Sequence, residues 1–495
     1  MDAVPTLWTG SLQCRSRRAV EDRCKGVRAA IYSLFKSRIK LKRPESGSAH
    51  SAVSFGRGRA MKLRSILFVV LAFGSVGAAG AFVYAWEPTI PPIDPREAAA
   101  PDHEIAKRGA SLALLGDCAT CHTAPGGAPY AGGLAMPTPF GTMFSTNITP
   151  DPETGIGRWS EQAFVRALRA GVDREGRHLY PAFPYDHFTQ VSDDDAKAMY
   201  AFFMSVDPVK SSPPPNRFPF PLNVRLTLAG WKLLFLRQAR FVADPSKDEK
   251  WNRGKYLVDG LGHCGACHSP RNLLGAERTS ASFEGGEAEG WRAFALGRSS
   301  QSPVPWDEAA LTEYLATGAH AQHGTAQGPM ANVVDNLSLV APAEVGAMAH
   351  YLASLGRGEG RNDVKMPGPS GPGRLPQAAG AQAATPPMPA DPGQAIYTAA
   401  CASCHEGDRP LPLGGLRLAL STALAGETPT NLINLVVRGI PASMGGSSRP
   451  IMPGFGDVLD DRQISDLTNY LRSRVAGKRQ WDGTAKAIAE ARDNP

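Results

Sequence analysis

The chain has almost no cysteine to spare. Six of its eight cysteines fall in three short motifs, and the other two, Cys14 and Cys24, lie near the N-terminus. No thiol is left for a structural disulfide in the body of the protein, which excludes a disulfide-stapled scaffold. Also missing are a nucleophile–base–acid triad, a phosphate-cradling glycine loop and a paired-carboxylate signature, so nothing in the sequence points to hydrolytic or phosphoryl-transfer chemistry. Positive charge is scarce where it would matter. The formal net charge of the 495 residues is +7, but residues 1–60 hold thirteen Lys/Arg against four acids, a net of +9 that leaves −2 for the remainder. No basic stripe interleaved with aromatics remains, and the body offers no reason to expect a nucleic-acid partner.

Charge is absent from one long run as well. Ile66 to Trp86 is twenty-one residues without a charged side chain, long enough to span a bilayer. Lys62 and Arg64 precede it and Glu87 follows, so the positive-inside rule places the N-terminus in the cytoplasm and everything after Trp86 outside. A cleaved signal peptide with Val83-Tyr84-Ala85 at the cleavage site is the competing reading, and a buried core helix a third. Residues 1–60 read as a basic segment, disordered or untranslated, with Met61 opening an ordinary start before the apolar run.

What the sequence does have is Cys-x-x-Cys-His, three times: Cys118–His122, Cys264–His268 and Cys401–His405. Two thiols at this spacing match the two vinyl groups of one porphyrin, and the adjacent histidine reaches the iron, so the pattern is the attachment signature of c-type haem. Structural zinc or disulfides are the alternatives, but zinc sites bring further thiols or paired histidines, and here each Cys-x-x-Cys comes with one adjacent histidine. The expectation is three covalently bound haem c groups held by Cys118, Cys121, Cys264, Cys267, Cys401 and Cys404, with His122, His268 and His405 on iron. Covalent haem attachment belongs outside the cytoplasm, which agrees with the export signal.

The motif cysteines recur at 146 and 137 residues. Each motif follows a short helical pattern (Ile105–Leu115, Asn252–Val258, Gln394–Ala399) with a glycine near its start: Gly109, Gly254 and Gly393. Each unit ends in an amphipathic helix (Asp194–Met204, Ala343–Leu355, Asp461–Arg472) carrying an aromatic in register: Phe202, Tyr351 and Tyr470. This predicts a mainly α protein, three tandem class I cytochrome c domains behind one N-terminal transmembrane helix. The expected division is a basic segment over 1–60, anchor or signal over 61–86, and domains over 100–208, 245–356 and 393–475. A Gly/Pro/Ala-rich flexible linker covers 357–392, and a polar tail, read as a loose helix, covers 476–495.

A sixth iron ligand is expected from the loop ahead of each last helix, where a neutral thioether favours reduced iron. Met452 stands eighteen residues before Tyr470, and Met330 stands twenty-one before Tyr351. Met444 is a rival to Met452. At the matching place in the first unit stands Phe183-Pro184, and phenylalanine cannot ligate. The options there are His187, Met136 or Met143 from an earlier loop, or five-coordinate iron. His178, His263, His320 and His323 read as surface or supporting residues, and the sequon Asn147-Ile148-Thr149 as loop structure.

The runs Gly132-Gly133-Leu134, Thr138-Pro139-Phe140-Gly141-Thr142, Ser145-Thr146-Asn147-Ile148-Thr149-Pro150-Asp151 and Leu179-Tyr180-Pro181-Ala182 sit in order between the haem motifs. With Gly262–Arg271 around the second motif, they resemble the three-haem cytochrome c subunit of bacterial membrane-bound dehydrogenases acting on alcohols, gluconate, sorbitol or aldehydes. The resemblance covers residues 100 to 475. It implies an electron-transfer subunit without substrate chemistry of its own, on the periplasmic side of the bacterial inner membrane. Its catalytic partner would be a flavoprotein, a quinoprotein or a molybdenum hydroxylase, and its acceptor ubiquinone or the terminal respiratory chain. Many members carry methionine where Phe183 stands. The anchor, the stretch Trp86–Pro95 and the Phe183 variant resemble the branch accompanying molybdenum hydroxylases of aldehydes or N-heterocycles. The competing functions are a free-standing multihaem carrier, and a haem peroxidase using a first haem without methionine.

Overall fold

A computed structural model describes residues 57–95, 102–356, 391–406, 414–441 and 450–493. The readings made for residues 1–56, for 357–390 and for Met444 lie outside them. The chain divides between Val76 and Gly77 into two compact bodies. The first helix, α1 (Arg57–Ala85), contains a stretch, Phe68–Ala85, long and apolar enough to cross a membrane by length and composition. Its large apolar side chains, among them Phe68, Phe73 and Phe82, are exposed, the opposite of a soluble core helix. At its end the Ala85 carbonyl accepts a 2.8 Å hydrogen bond from Nε2 of the buried His178, whose Nδ1 lies 3.0 Å from the buried Lys232 Nζ.

The rest is mainly helical, built on three helix pairs of one design. In the first, α2 (His103–Leu115) crosses α4 (Asp193–Phe203), with α3 (Glu161–Ala170) between them in sequence. After α5 (Leu228–Phe235), α6 (Glu249–Lys255) continues as a π-helical turn to Leu261 and crosses α9 (Pro342–Gly356). Between these two run α7 (Glu308–Thr317) and α8 (Pro329–Leu337). In the third pair, α10 (Pro392–Ala400) crosses α12 (Asp461–Tyr470), with α11 (Thr430–Arg438) between and α13 (Thr484–Asp493) after. Each leading helix starts on an aspartate whose side chain takes up orphan amides of the first turn: Asp102 from Ile105 N, Asp248 from Trp251 N and Asp391 from Gly393 N.

The crossings depend on glycine. A β-carbon at Gly109, Gly254 or Gly393 would run into the backbone carbonyl of Ala198, Ala347 or Asp466. It would also lie only 2.7, 2.8 or 2.6 Å from the β-carbon of Phe202, Tyr351 or Tyr470. The glycines and aromatics picked out by repetition in the sequence are thus contact partners in all three pairs.

Among the described residues three two-stranded antiparallel hairpins complete the framework: β1 (Ala135–Thr138) with β2 (Gly141–Phe144), β3 (Gly286–Ala288) with β4 (Trp291–Ala293), and β5 (Ala319–His320) with β6 (Gly324–Thr325). The first two helix pairs share one continuous apolar core, from Leu112 and Met199 across Leu257 and Leu261 to Met348 and Leu352. The third has its own, around Leu424, Ile433, Ile464 and Leu467. The polar tail forms a helix that packs on the third core. Ile488 on α13 is 1% exposed, Trp481 donates to Gly426 O at 3.0 Å, and Arg492 binds Asp461, Gly456 O and Leu459 O. The small apolar residues Ala487, Ile488 and Ala491 give α13 one buried face, which a composition rich in charge conceals.

Replacing Gly254 by alanine is expected to destabilise the protein by about 1–3 kcal/mol through overpacking at the crossing. Gly346 lies on the partner helix but has only Lys250 Cε at 4.0 Å, so Gly346→Ala is expected to be neutral or to stabilise by up to about 1 kcal/mol. Denaturant unfolding of the two variants side by side checks the contrast.

Candidate haem sites

Each Cys-x-x-Cys-His forms a single helical turn two residues beyond a leading helix, or directly at its end. The three turns treat their histidine in the same way. His122 Nδ1 donates to Thr146 O at 2.7 Å, His268 Nδ1 to Phe294 O at 2.7 Å, and His405 Nδ1 to Leu416 O at 2.9 Å. Among the described residues nothing bonds to Nε2 of any of them. A backbone carbonyl can only accept, so it fixes the proton on Nδ1 and leaves the Nε2 lone pair for a metal. Burial also lowers the pKa of His122 and His268, holding both neutral as ligation requires. The His405 ring rests on Gly415, where a β-carbon would come within 2.6 Å of it.

All six motif cysteines are free thiols. Burial pushes Cys118, Cys121 and Cys264 up to about 12, and Cys267 and Cys401 up to about 11; Asp117 adds to the rise at Cys118 and Cys121. A structural zinc site needs four converging ligands. Among the described residues the one group of three metal-capable side chains is Asp186, His187 and Glu277, which includes none of these thiols. The donor set therefore fits covalent haem c, with two thiols and one oriented imidazole per turn, and does not fit zinc.

The first two turns stand back to back. A β-carbon at Gly116 would lie 3.3 Å from Leu261 Cδ1, and one at Gly262 3.6 Å from Leu115 O, a reciprocal contact across the two units. His263 Nε2 lies 3.2 Å from Gly116 O, and Asn336 donates to Asp117 Oδ1 at 2.5 Å. Burial raises the Asp117 pKa to about 6, against the lowering effect of its bonds from Thr120 and Asn336.

The candidate sixth ligands are placed as follows. Met330 is half-buried at the start of α8, behind Gly328, and packs on the shared core. Met452 is bridged to Ile440 by two backbone hydrogen bonds of 2.7 and 3.0 Å, and its side chain packs on a small apolar cluster of Ala423, Leu435 and Ile440. In the first unit Phe183 packs at a tilt on Phe188 with ring centroids 5.3 Å apart. Met136 and Met143 are cross-strand partners in the β1–β2 hairpin, Met143 buried.

His187 has partners in the second unit. Its Nδ1 lies 2.7 Å from Asp259 O and its Nε2 2.6 Å from Glu277 Oε1. Glu277, ninety residues away, is a charge-assisted partner that proximity to the Phe183-Pro184 loop did not reveal. The other histidines support structure. His178 holds Ala85 O, and His323 stacks on Trp306 at 3.6 Å with Ser302 Oγ on its Nδ1. Asn147 and Thr149 are buried and bonded to each other and to Val209 O, so the sequon is loop structure, and this loop supplies the Thr146 carbonyl to His122.

Comparison with known proteins places these sites in context. Residues 106–207 match the family described as Cytochrome c, and residues 389–471 the family described as Cytochrome C oxidase, cbb3-type, subunit III. The chain is 44% identical to a nicotinate dehydrogenase subunit of Pseudomonas putida over 86% of its own length, and spans only 35% of that relative. It is 37% identical to the gluconate 2-dehydrogenase cytochrome c subunit of Pantoea cypripedii, over 79% of this chain and 88% of the relative. It is 34% identical to the fructose dehydrogenase cytochrome subunit of Gluconobacter japonicus, over 81% and 85%.

The His187–Glu277 pair predicts a pH dependence. Burial alone would lower the His187 pKa, but the Glu277 carboxylate, with Asp186 and the Asp259 carbonyl, raises it to about 9. A raised folded-state value means that the stabilisation is complete below about pH 6.5 and is lost as pH climbs through about 9, a span worth a few kcal/mol at most, roughly 1.4 per unit. Unfolding free energies measured from pH 6 to 10 should fall over that window in the native protein. In Glu277→Gln the slope should be largely gone.

Proposed function

Because the chain belongs to the cytochrome c subunits of membrane-bound dehydrogenases, we propose that it carries three covalently bound haem c groups in domains spanning 100–208, 245–356 and 393–475. In this reading it passes electrons from a catalytic dehydrogenase subunit to ubiquinone or the terminal respiratory chain. Its haem domains lie on the periplasmic side of the bacterial inner membrane, behind α1 as anchor. Haem c, when bound, supplies a one-electron iron couple.

The observation that carries the reading is the threefold treatment of the motif histidine: His122, His268 and His405 are each oriented by one backbone carbonyl, with no partner on Nε2 among the described residues. This chain's residues do three things. They anchor a macrocycle through paired thiols, present a neutral imidazole in a fixed tautomer, and set an apolar core beside each turn. Such rigid surroundings keep the reorganisation accompanying electron transfer small. Met330 and Met452 complete the second and third sites as sixth ligands. The first site has no methionine at the equivalent place, and its proposed sixth ligand is drawn from Met136 and Met143. The reciprocal contact of Gly116 and Gly262 supports direct exchange between the first two sites. The 44% likeness to a nicotinate dehydrogenase subunit supports a partner that oxidises an N-heterocycle, and so the molybdenum hydroxylase branch.

Extraction in mild detergent followed by mass spectrometry tests this. The intact chain should carry three haem masses and co-purify in stoichiometric amount with a large cofactor-bearing subunit. A chain with fewer haems, or one that purifies alone and turns over peroxide, overturns the reading. Met452→Ala should lower the potential of the third haem and abolish its thioether–iron band, and no change in either removes Met452 as the ligand.

A further inference from the structure

The second and third haem motifs are joined in sequence by a long Gly/Pro/Ala-rich segment, which by composition would let the third unit wander. The structure contains a specific contact that opposes this. Helix α11 presents Asn431 and Asn434, one turn apart on the same face and 7% and 3% exposed. Asn431 closes a two-bond ring with one residue of the second unit: its Oδ1 accepts from Arg292 N at 2.8 Å, and its Nδ2 donates to Arg292 O at 2.9 Å. Asn434 Nδ2 donates to Gly290 O at 3.0 Å. Both acceptor residues lie on the β3–β4 hairpin. Asparagine is a poor choice inside a helix, and a buried amide without partners is strongly disfavoured, so this pair is satisfied only when the hairpin is in place.

The same short strand also serves the second haem site. Phe294, one residue beyond β4, gives its carbonyl to His268 Nδ1, while its ring packs with Trp291 and Met452 on the junction cluster of Ala423, Leu435 and Ile440. On its other side Trp291 lies against Gly328, two residues before Met330, where a β-carbon would come within 2.6 Å of the indole. The Arg438 guanidinium sits over the same ring at 5.9 Å. Residues 291–294 therefore touch the histidine loop of the second site, its methionine loop and the third unit at once.

We propose that Asn431 and Asn434 are positioning residues that clamp the third haem domain onto the β3–β4 hairpin and so fix the distance across which the second and third sites exchange electrons. The proposal rests on the three-haem reading above. In the step concerned, one electron leaves the second site as the third gains it; no bond forms or breaks and no proton moves.

The test uses the full-length haem-loaded protein in detergent, native against Asn431→Ala/Asn434→Ala. Two readouts are taken: deuterium exchange at the Arg292 amide, and the rate at which an electron introduced by pulse reduction equilibrates between the second and third sites. The expected result is at least tenfold faster exchange at Arg292 and at least tenfold slower equilibration, with three haems per chain and unchanged spectra and individual potentials. Unchanged exchange together with unchanged equilibration overturns the clamp. So does an equilibration rate that survives while Arg292 becomes unprotected, because docking would then not set the distance. Asn431→Asp is the second variant should the double alanine lose its haem spectra. It keeps the acceptor for Arg292 N–H but abolishes the donor to Arg292 O, and it must slow equilibration with the spectra intact. Failure of the underlying reading is told apart by the native protein, which would then lack a second or third haem.

Discussion

Everything in this protein hangs on a backbone-to-backbone crossing that tolerates no side chain. Where the leading helix of each unit meets the closing helix, glycine lets the two main chains approach until Gly109, Gly254 and Gly393 lie against the carbonyls of Ala198, Ala347 and Asp466. An aromatic one turn on, Phe202, Tyr351 or Tyr470, covers the glycine. The motif cysteines follow within a few residues of each leading helix, so the crossing fixes the place and direction of the turn that displays thiols and imidazole. The carbonyl that orients each histidine then comes from a loop that lies, in sequence, between the same two helices. Close main-chain contact is costly to disturb by even one methyl group, because packed interiors do not yield smoothly.

Upon this shared design the units are joined in two different ways. The first and second are fused: one apolar core runs through both, and polar ties such as His187–Glu277 and Tyr256–Asp195 cross between them. The third is docked, with a core of its own and a junction made of a small apolar cluster and amide side chains. Fusion holds two sites at a fixed separation without further provision. Docking has to be enforced by particular contacts, and these are concentrated on one hairpin.

What could be read in the sequence was whatever repeats or lies close along the chain. The three motifs, the helix before and after each, the glycines and the paired aromatics were visible because each unit states them again. The apolar run of α1 was visible through its length. The partners of His187 were not, since Asp259 and Glu277 are 72 and 90 residues away and nothing local marks them. The packing of α13 was hidden because two alanines and an isoleucine among charged residues look like a solvated tail, although they fall on one face. The role of Asn431 was equally hidden, as its partner is 139 residues distant and is a main-chain group with no residue identity of its own.

That last property reaches beyond the single contact. The bonds from Asn431 and Asn434 end on the carbonyls and amide of Gly290 and Arg292, not on their side chains. The hairpin can therefore exchange most of its exposed residues, and with them the charge of its outer face, without loosening its grip on the neighbouring unit. A lineage could thus change the outer surface of this edge while the join beneath it stays intact, and paired substitutions across the junction would leave little trace of it.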